Sequence, residues 1–456
     1  MPYLFPGIQS LAVMTLCSIA ATALADEVQL TFGPHSHSLD NNDNFSPDDQ
    51  WLVYDTRTDD GGIGAGKTIE KVNVQTKDIV TIYRAPHPVL SGPGVGAVSY
   101  HPTENRVVFI HGLLNHSKAR PYDLWRRFGM LVNEDDPSKP VIADARDVVR
   151  PFTAGALRGG THRHEFSGDG QWIGFTYNDA LMEARGEQFN LRTIGVTKLN
   201  CPVAINGTSD GANFNGAGTS ALVVRVTPNP RPGSDEISRA ASDSWIGTHG
   251  YSKPNGKLQR ARAFLGTVYS LKGTEVTELF IVDIPDDVTV PGHHGPLEGT
   301  DEDMPMPPAG AAQRRLTHTT ESQFPGFTGN VRSSPDGSTL ACLAEDQHGI
   351  DQVILASPVN GNPQPFTSFE TPVQSDVRWY PDGTHVCFVQ NDSVVVANVS
   401  TGSWKRVTTP TAASPYALVW SRHGEMIGFN RDVVDTKTGQ SFSQVFVLHL
   451  ESARLP

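Results

Sequence analysis

The chain has 456 residues, including 43 glycines and 33 prolines, and its formal net charge at pH 7 is −13. The excess of acidic side chains disfavours nucleic acid and anionic membranes as partners through the overall electrostatic field. Short Val-, Ile-, Phe- and Thr-rich runs alternate with glycine and proline, and almost no apolar residues recur at helical spacing, which indicates an all-β protein.

Residues 1–25 are predicted to be a signal peptide. Residues 11–25 are apolar and small, and they end in Ala23-Leu24-Ala25, the pattern that signal peptidase cleaves. No Lys or Arg precedes this stretch, and a retained N-terminal anchor is the alternative, although the stretch is short for a membrane span. We expect a secreted or periplasmic protein, with no membrane span after cleavage and one domain over residues 26–456.

A β-hairpin pattern recurs along the rest of the chain. Six copies align without gaps, each with a Ser-Pro-Asp-Gly-type turn, at residues 45–54, 100–109, 166–175, 333–342, 379–388 and 420–429. Residues 260–282 read as a degenerate copy with a Leu-Lys-Gly turn. Further apolar runs follow each copy, and four strands at a period of roughly 40 to 65 residues are typical of a β-propeller. The sequence predicts seven blades.

One segment lacks a blade and three segments interrupt the pattern. Val28–Phe32 is predicted to be the outer strand of the last blade, since closing the ring removes an exposed edge. The ranges 206–219, 227–257 and 285–308 read as inserted loops because they are rich in turn residues. The first two follow the third hairpin, so we expect them to roof one mouth of the central channel.

Two clusters of polar side chains suggest chemistry. His162 and His164 occupy alternate positions of one strand and should project from the same face, with Tyr177 and Asn178 on the next strand. A second cluster lies in or near the second insertion and consists of Arg192, Trp245, His249, Tyr251, Arg260 and Arg262. The plain alternatives are structural hydrogen bonds for the first cluster and ordinary loop residues for the second.

The Ser-Pro-Asp-Gly hairpins resemble the blades of TolB-type propellers. The segments 158–167, 175–179, 191–196, 227–237, 245–249 and 278–282 resemble an uncharacterised bacterial TolB-like family over nearly the whole chain after residue 25. A weaker resemblance is to propeller-fold polysaccharide lyases, the oligogalacturonate and ulvan lyases. It implies β-elimination on an acidic, uronate-containing polysaccharide or oligosaccharide, ulvan-like or pectin-like. It also implies that a divalent metal can be present at the site, as in some of these lyases.

Elimination needs a base, a positive group beside the carboxylate and an acid, tasks that suit His, Arg and Tyr. The candidate catalytic residues are His162, His164, Tyr177, His249 and Tyr251. The candidate substrate-binding residues are Arg192, Arg260, Arg262, Asn178 and Trp245. A Ca, Mn or Zn site that uses His162, His164 and His249 is left open. The rival hypothesis is a non-catalytic periplasmic propeller that binds a protein or glycan partner.

Overall fold

The structure is a computed structural model that describes residues 27–40, 43–58, 61–450 and 455–456. The predicted signal peptide and its cleavage motif lie outside these residues. Within the described ranges, no helix is long and apolar enough to cross a membrane.

The first three blades follow a short N-terminal strand, β1 (Glu27–Gln29). Blade 1 contains β2 (Trp51–Asp55), β3 (Thr68–Asn73) and β4 (Ile79–Arg84), and single bridges from Ser38 and Phe45 to β2 take the innermost position. Blade 2 contains β5 (Val95–Tyr100), β6 (Arg106–Gly112), β7 (Arg127–Asn133) and β8 (Val141–Ile142). Blade 3 contains β9 (Gly159–Phe166), β10 (Trp172–Asp179), β11 (Thr193–Val203) and β12 (Gly216–Leu222), with helix α1 (Ala180–Arg185) between β10 and β11.

Four further blades complete the ring. Blade 4 contains β13 (Arg239–Trp245), β16 (Ala261–Tyr269), β17 (Glu275–Asp283) and β18 (Ala312–Arg315), with a small hairpin of β14 (Tyr251–Ser252) and β15 (Leu258–Gln259) between its first two strands. Blade 5 contains β19 (Thr328–Ser333), β20 (Leu340–Glu345), β21 (Asp351–Ser357) and β22 (Gly361–Pro365). Blade 6 contains β23 (Arg378–Trp379), β24 (His385–Gln390), β25 (Ser393–Asn398) and β26 (Trp404–Arg406), and blade 7 contains β27 (Tyr416–Trp420), β28 (Met426–Val434) and β29 (Ser441–His449). The predicted seven-bladed propeller is confirmed.

The recurring turn has a simple chemical cause. In blade 3 the Ser167 hydroxyl bonds Asp169 Oδ1 at 2.5 Å and accepts the Trp172 N–H at 3.0 Å, which ties both ends of the turn together. Gly170 takes a φ of 68°, a left-handed conformation that glycine adopts without steric cost. Asp49 takes the same position in blade 1 at a φ of 58°. Serine, aspartate and glycine recur because each satisfies one requirement of this turn.

The N-terminal strand closes the ring as predicted. Val28 pairs with Val447 in an antiparallel ladder, so β1 forms the outer strand of blade 7 beside β29. Leu30 follows the strand and is buried in the core shared by blades 1 and 7. The first and last parts of the described chain therefore hold one blade together, and the edge of β29 is covered.

Each of five innermost strands carries a β-bulge that the sequence does not announce. The ladder between the first and second strands slips in blades 2, 3, 4, 5 and 7. A residue with a left-handed backbone lies at each slip: Ala97, Arg163, Ser242, Gly329 and Ala417. A bulge bends its strand and re-aims the side chains around it.

The structure corrects the reading of the insertions. The range 227–257 contains β13, the innermost strand of blade 4, and the Leu-Lys-Gly turn joins the second and third strands of that blade. Strand β13 reads Arg-Ala-Ala-Ser-Asp-Ser-Trp, which lacks the apolar alternation by which a strand is found in a sequence. The range 206–219 likewise includes the start of β12, whereas residues 285–308 hold no helix or strand.

Candidate functional site

The central channel opens at one end into a cavity of about 510 Å³, which we call the upper cavity. Six of the seven blades contribute to its wall, and the innermost strands begin at this end. Its charged side chains are Asp40, Arg57, Arg127, Arg163, Arg192, Asp376 and Arg378, with His162 among them. The wall thus holds five guanidinium groups against two carboxylates.

Two of the five arginines have acidic partners. Arg57 Nη2 lies 2.6 Å from Asp40 Oδ2 and 2.5 Å from Asp55 Oδ2. Arg378 Nη2 lies 3.9 Å from Asp376 Oδ2. These pairs engage both acidic side chains of the wall.

The other three arginines have no carboxylate within 4 Å among the described residues. Arg163 donates to the amide oxygen of Asn330, and Arg192 donates to Thr176 Oγ1 at 2.6 Å. The Nε atoms of Arg127 and Arg192 are buried and have no acceptor. Burial, followed by the nearby positive charge of Arg239, lowers the pKa of Arg192 to about 10, so this guanidinium is still charged at neutral pH. Three converging guanidiniums, two of them with an unsatisfied buried donor, form an anion-binding arrangement.

His162 lies against this cluster, with a defined tautomer. Arg127 Nη1 is 3.0 Å from His162 Nδ1, and because a guanidinium only donates, Nδ1 accepts. The proton is then on Nε2, which lies 3.2 Å from the amide oxygen of Asn178. Burial, and after it the charge of Arg127, lowers the pKa of His162 well below its usual range. The imidazole, which is only 1% exposed, is therefore neutral at physiological pH.

His164 packs against blade 2 as well, but it does not line the cavity. Its Nε2 lies 2.9 Å from Thr161 Oγ1, and a Cβ at Gly129 would lie 2.9 Å from the same nitrogen. Thr161 in turn donates to Asp144 Oδ2 at 3.1 Å. Burial lowers the pKa of His164 to about 3 and raises that of Asp144 to about 7. The shared face of His162 and His164 thus packs on the neighbouring blade, and only His162 reaches the channel.

The predicted tyrosines belong to buried networks elsewhere. Tyr177 is fully buried and donates to Asp179 Oδ2 at 3.0 Å, the carboxylate that also pairs with Arg158. Tyr251 donates to Asp283 Oδ1 at 2.8 Å in blade 4. Burial raises the pKa of both hydroxyls. Neither tyrosine lines the upper cavity, so the tyrosine acid expected from the sequence is not brought to His162.

The second predicted cluster is near the opposite end of the channel. His249 is exposed and follows Thr248, whose carbonyl would touch a Cβ at Gly168, in the turn beyond β9. Gly168 lies six residues after His162, four of them in the strand, on the order of 20 Å along an extended chain. The two histidines therefore lie at different ends of the channel, and neither insertion in the range 206–257 lines the upper cavity. The expected roof is wrong: β13 carries the chain to the other mouth before residues 246–257 begin, and the first insertion lies against blade 2, where the Ala212 carbonyl accepts from Arg146.

Trp245, Arg260 and Arg262 also belong to this other end. Trp245 lines a cavity of about 330 Å³, which we call the lower cavity. Arg262 is buried and pairs with Asp243 and Glu165, at 2.5 and 3.2 Å. Arg260 is half-buried at the rim and pairs with acidic residues of blades 3 and 4. Of the predicted binding residues, only Arg192 and Asn178 meet His162.

The residues that the sequence reading missed share a position in the repeat. Three residues before five of the six aligned hairpin copies lie Ala97, Arg163, Asn330, Asp376 and Ala417, and all five line the upper cavity. Aligning the segments before the hairpins would have shown that one position per blade faces the channel. No comparable signal marks Arg57 and Arg127, which reach the cavity from the end of β2 and the start of β7.

Comparison with known proteins places the chain in a family. Residues 94–210 match the model described as "Protein of unknown function (DUF3748)". A relative from Escherichia coli (strain K12), "Uncharacterized protein YidR", is 38% identical over 409 residues, which cover 88% of this chain and 94% of that protein. The chain belongs to the DUF3748 family. The family description and its E. coli relative name no activity.

Solved structures that resemble this member of the DUF3748 family are propellers. An oligogalacturonate lyase in complex with manganese has a TM-score of 0.55 and 12% identity, over 95% of each chain. The oligogalacturonate lyase from Vibrio parahaemolyticus has a TM-score of 0.56 and 10% identity, over 95% of this chain and 96% of that one. TolB from Acinetobacter baumannii also matches, with a TM-score of 0.37 and 13% identity over 89% of this chain and 83% of that chain. The expected resemblance to TolB-like and lyase propellers is confirmed for the fold.

One of these lyases was solved with manganese, so the side chains of the upper cavity were compared with those that a divalent metal requires. In the ranges that the structure describes, no three His, Cys, Asp or Glu side chains are grouped to hold a metal ion. Both ring nitrogens of His162 already face protein groups, and His249 is at the other mouth. The charged guanidiniums would also repel a cation. The upper cavity therefore does not fit a divalent metal.

Proposed function

We propose that this propeller binds an acidic, uronate-containing oligosaccharide, pectin-like or ulvan-like, in the upper cavity and cleaves it by β-elimination. The observation that carries the proposal is that three guanidiniums without carboxylate partners converge on a neutral imidazole. The names of the two lyases supply the substrate class, and the likeness to them concerns the fold. Ala23-Leu24-Ala25 supports a place outside the cytoplasm, where such glycans occur.

Substrate capture would rest on Arg127, Arg163 and Arg192. A guanidinium offers parallel donors that match the two oxygens of a carboxylate, and the buried Nε atoms of Arg127 and Arg192 supply donors for this purpose. A carboxylate so held is neutralised, which lowers the energy of the carbanion that forms at C5 of the uronate. The low acidity of that C–H bond is the main obstacle to the reaction.

Proton abstraction would fall to His162. When a substrate carboxylate accepts from Arg127, the guanidinium turns away from Nδ1 and frees its lone pair. Nδ1 then takes the C5 proton, the electron pair forms the C4–C5 double bond, and the C4–O bond breaks. Water protonates the leaving oxygen, because Tyr177 and Tyr251 lie outside the cavity and Tyr416, which lines it, donates its hydroxyl to Asp432. Asn178 holds the Nε2 proton throughout and so keeps the tautomer that a base requires.

The direct test is incubation of the purified protein with oligogalacturonates, ulvan oligosaccharides and neutral oligosaccharides of equal length. Elimination leaves a conjugated double bond that absorbs in the ultraviolet. We expect this absorbance to rise with at least one uronate substrate and with none of the neutral ones. Absence of the unsaturated product from every uronate substrate would exclude elimination.

Binding without cleavage is the second candidate, and one observation favours it. His162 is almost completely buried, and both of its ring nitrogens have partners. Arg127 contacts Nδ1 and Asn178 contacts Nε2. If the Arg127 contact persists with the ligand bound, no base is available and the cavity only holds the glycan. Calorimetric binding of a uronate oligosaccharide that stays intact would assign this function.

A further inference from the structure

The lower cavity has features of a ligand site that the proposed reaction does not use. It lies at the end of the channel where the innermost strands finish and the Ser-Pro-Asp-Gly turns begin. Three arginines line it, Arg332, Arg378 and Arg422, together with Asp43 and Glu165. Arg378 also lines the upper cavity, so the two cavities adjoin along the channel.

Three tryptophans form a fixed frame around this cavity. Each indole N–H donates to a backbone carbonyl of the preceding blade: Trp245 to Glu165 at 3.0 Å, Trp379 to Arg332 at 3.1 Å, and Trp420 to Arg378 at 3.2 Å. These bonds fix the orientation of the rings. Apolar ring surface beside charged groups is typical of sites that bind a polar ring.

The arginines of this cavity have donors to spare. Arg332 is 5% exposed, and its Nε and Nη2 have no acceptor, while its Nη1 lies 3.6 Å from Glu165. Arg422 pairs with Asp43 at 2.9 Å through Nη1, and its Nε and Nη2 also lack acceptors. Buried donors in folded proteins are ordinarily bonded, so these four nitrogens call for an acceptor.

The carboxylates that line the cavity are already engaged, so they do not serve as that acceptor. Asp43 is engaged by Arg422, and Glu165 is engaged by both Arg262 and Arg332. Burial lowers the pKa of Arg332 to about 9, which leaves it protonated at neutral pH, and burial raises the pKa of Asp43. A carboxylate makes the strongest hydrogen bonds to a guanidinium, so it fits the four spare nitrogens of Arg332 and Arg422.

We infer that the lower cavity is a second binding site, for a small carboxylate that carries a sugar ring, such as a single uronate. The carboxylate bonds Arg332 and Arg422, and the ring packs against Trp379. The volume of about 330 Å³ accommodates one such ring. This inference does not depend on cleavage at the upper cavity.

Calorimetric titration with galacturonate tests the inference, with galactose as the neutral control. The unaltered protein should bind galacturonate at two sites, and Arg422→Gln should lose one of them while Arg192→Gln keeps it. Galacturonate should also quench tryptophan fluorescence in the Arg192→Gln protein and not in the Arg422→Gln protein. If Arg422→Gln does not fold, Arg422→Lys serves, since an ammonium lacks the paired donors and should weaken this site at least tenfold.

Three results would overturn the inference. One is a titration in which Arg422→Gln and Arg422→Lys bind galacturonate as the unaltered protein does. Another is a single site that disappears in Arg192→Gln. The third is equal binding of galactose, which would remove the role of the carboxylate. None of these readings requires elimination, so failure of the proposed reaction is recognised separately by the absence of unsaturated product.

Discussion

His162 is buried and neutral in the folded protein, and this makes the stability of the protein depend on pH. In the unfolded chain its imidazole takes up a proton near pH 6.5, whereas in the folded protein burial and Arg127 keep it neutral. The unfolded state therefore binds more protons below pH 6.5. Stability is complete above that pH and declines as the pH falls toward the folded-state pKa.

We predict that His162→Gln reduces acid destabilisation. Between pH 7.5 and 5.0 the free energy of unfolding should fall by about 2 kcal/mol less in this variant, because 1.5 units below pH 6.5 correspond to roughly that energy for one proton. Urea unfolding at both pH values measures the difference. His249→Gln, a change at an exposed position, is the matched control and should show the same acid loss as the unaltered protein.

An equal acid loss in all three proteins would mean that His162 is not held neutral. The neutral state of His162 also bears on the pH dependence of activity. A base with an unperturbed histidine pKa would give a rate that rises through pH 6.5. With His162 already neutral, we expect no such step near that pH.

The sequence supplied some of the residues of the upper cavity and missed others for a physical reason. The His162 neighbourhood was found because alternating strand residues and aromatic partners leave a readable pattern. Arg127 and Arg163 were missed because an arginine that faces the channel from a strand looks like an exposed one in the sequence. His249 and Tyr251 were grouped with His162 because a loop's direction depends on which mouth the preceding strand reaches.

At the level of elements, the bulges of the innermost strands decide what faces the channel. Ala417 has a φ of 52° at the slip between β27 and β28. A residue with a Cβ costs roughly 1–2 kcal/mol in this conformation. Arg163 accepts the same conformation and lines the cavity. Period-2 alternation cannot foresee this, since one extra residue shifts every side chain that follows.

Ala417→Gly should therefore leave the free energy of unfolding unchanged or raise it by up to about 1 kcal/mol. Ala397→Gly, in the regular part of β25, should lower it by about 1 kcal/mol, because glycine there only adds chain entropy and removes a packed methyl group. Denaturant unfolding of the two variants measures both values. Equal losses in both would contradict the strain that we assign to the bulge.

At the scale of the whole molecule, the fold was largely predictable and the location of charge was not. Repeated turns and apolar runs predict seven blades, and the unassigned Val28–Phe32 segment predicts closure, which β1 confirms. The net charge of −13 gives no hint of an arginine-lined channel, because the acidic side chains lie mostly outside it. A ring of blades concentrates one position of each repeat at its axis, so scattered residues become a site.

We propose that the upper cavity holds an acidic glycan and cleaves it. The most direct test is kcat/KM for the best uronate substrate with Arg192→Gln and Arg260→Gln. Both arginines are half-buried, but Arg192 lines the cavity whereas Arg260 pairs with Asp169 and Asp286 at the other end. We predict a loss of at least about 100-fold for Arg192→Gln, as expected for a charged donor to the transition state, and less than about threefold for Arg260→Gln. Equal losses, or a larger loss for Arg260→Gln, would contradict the upper cavity as the site.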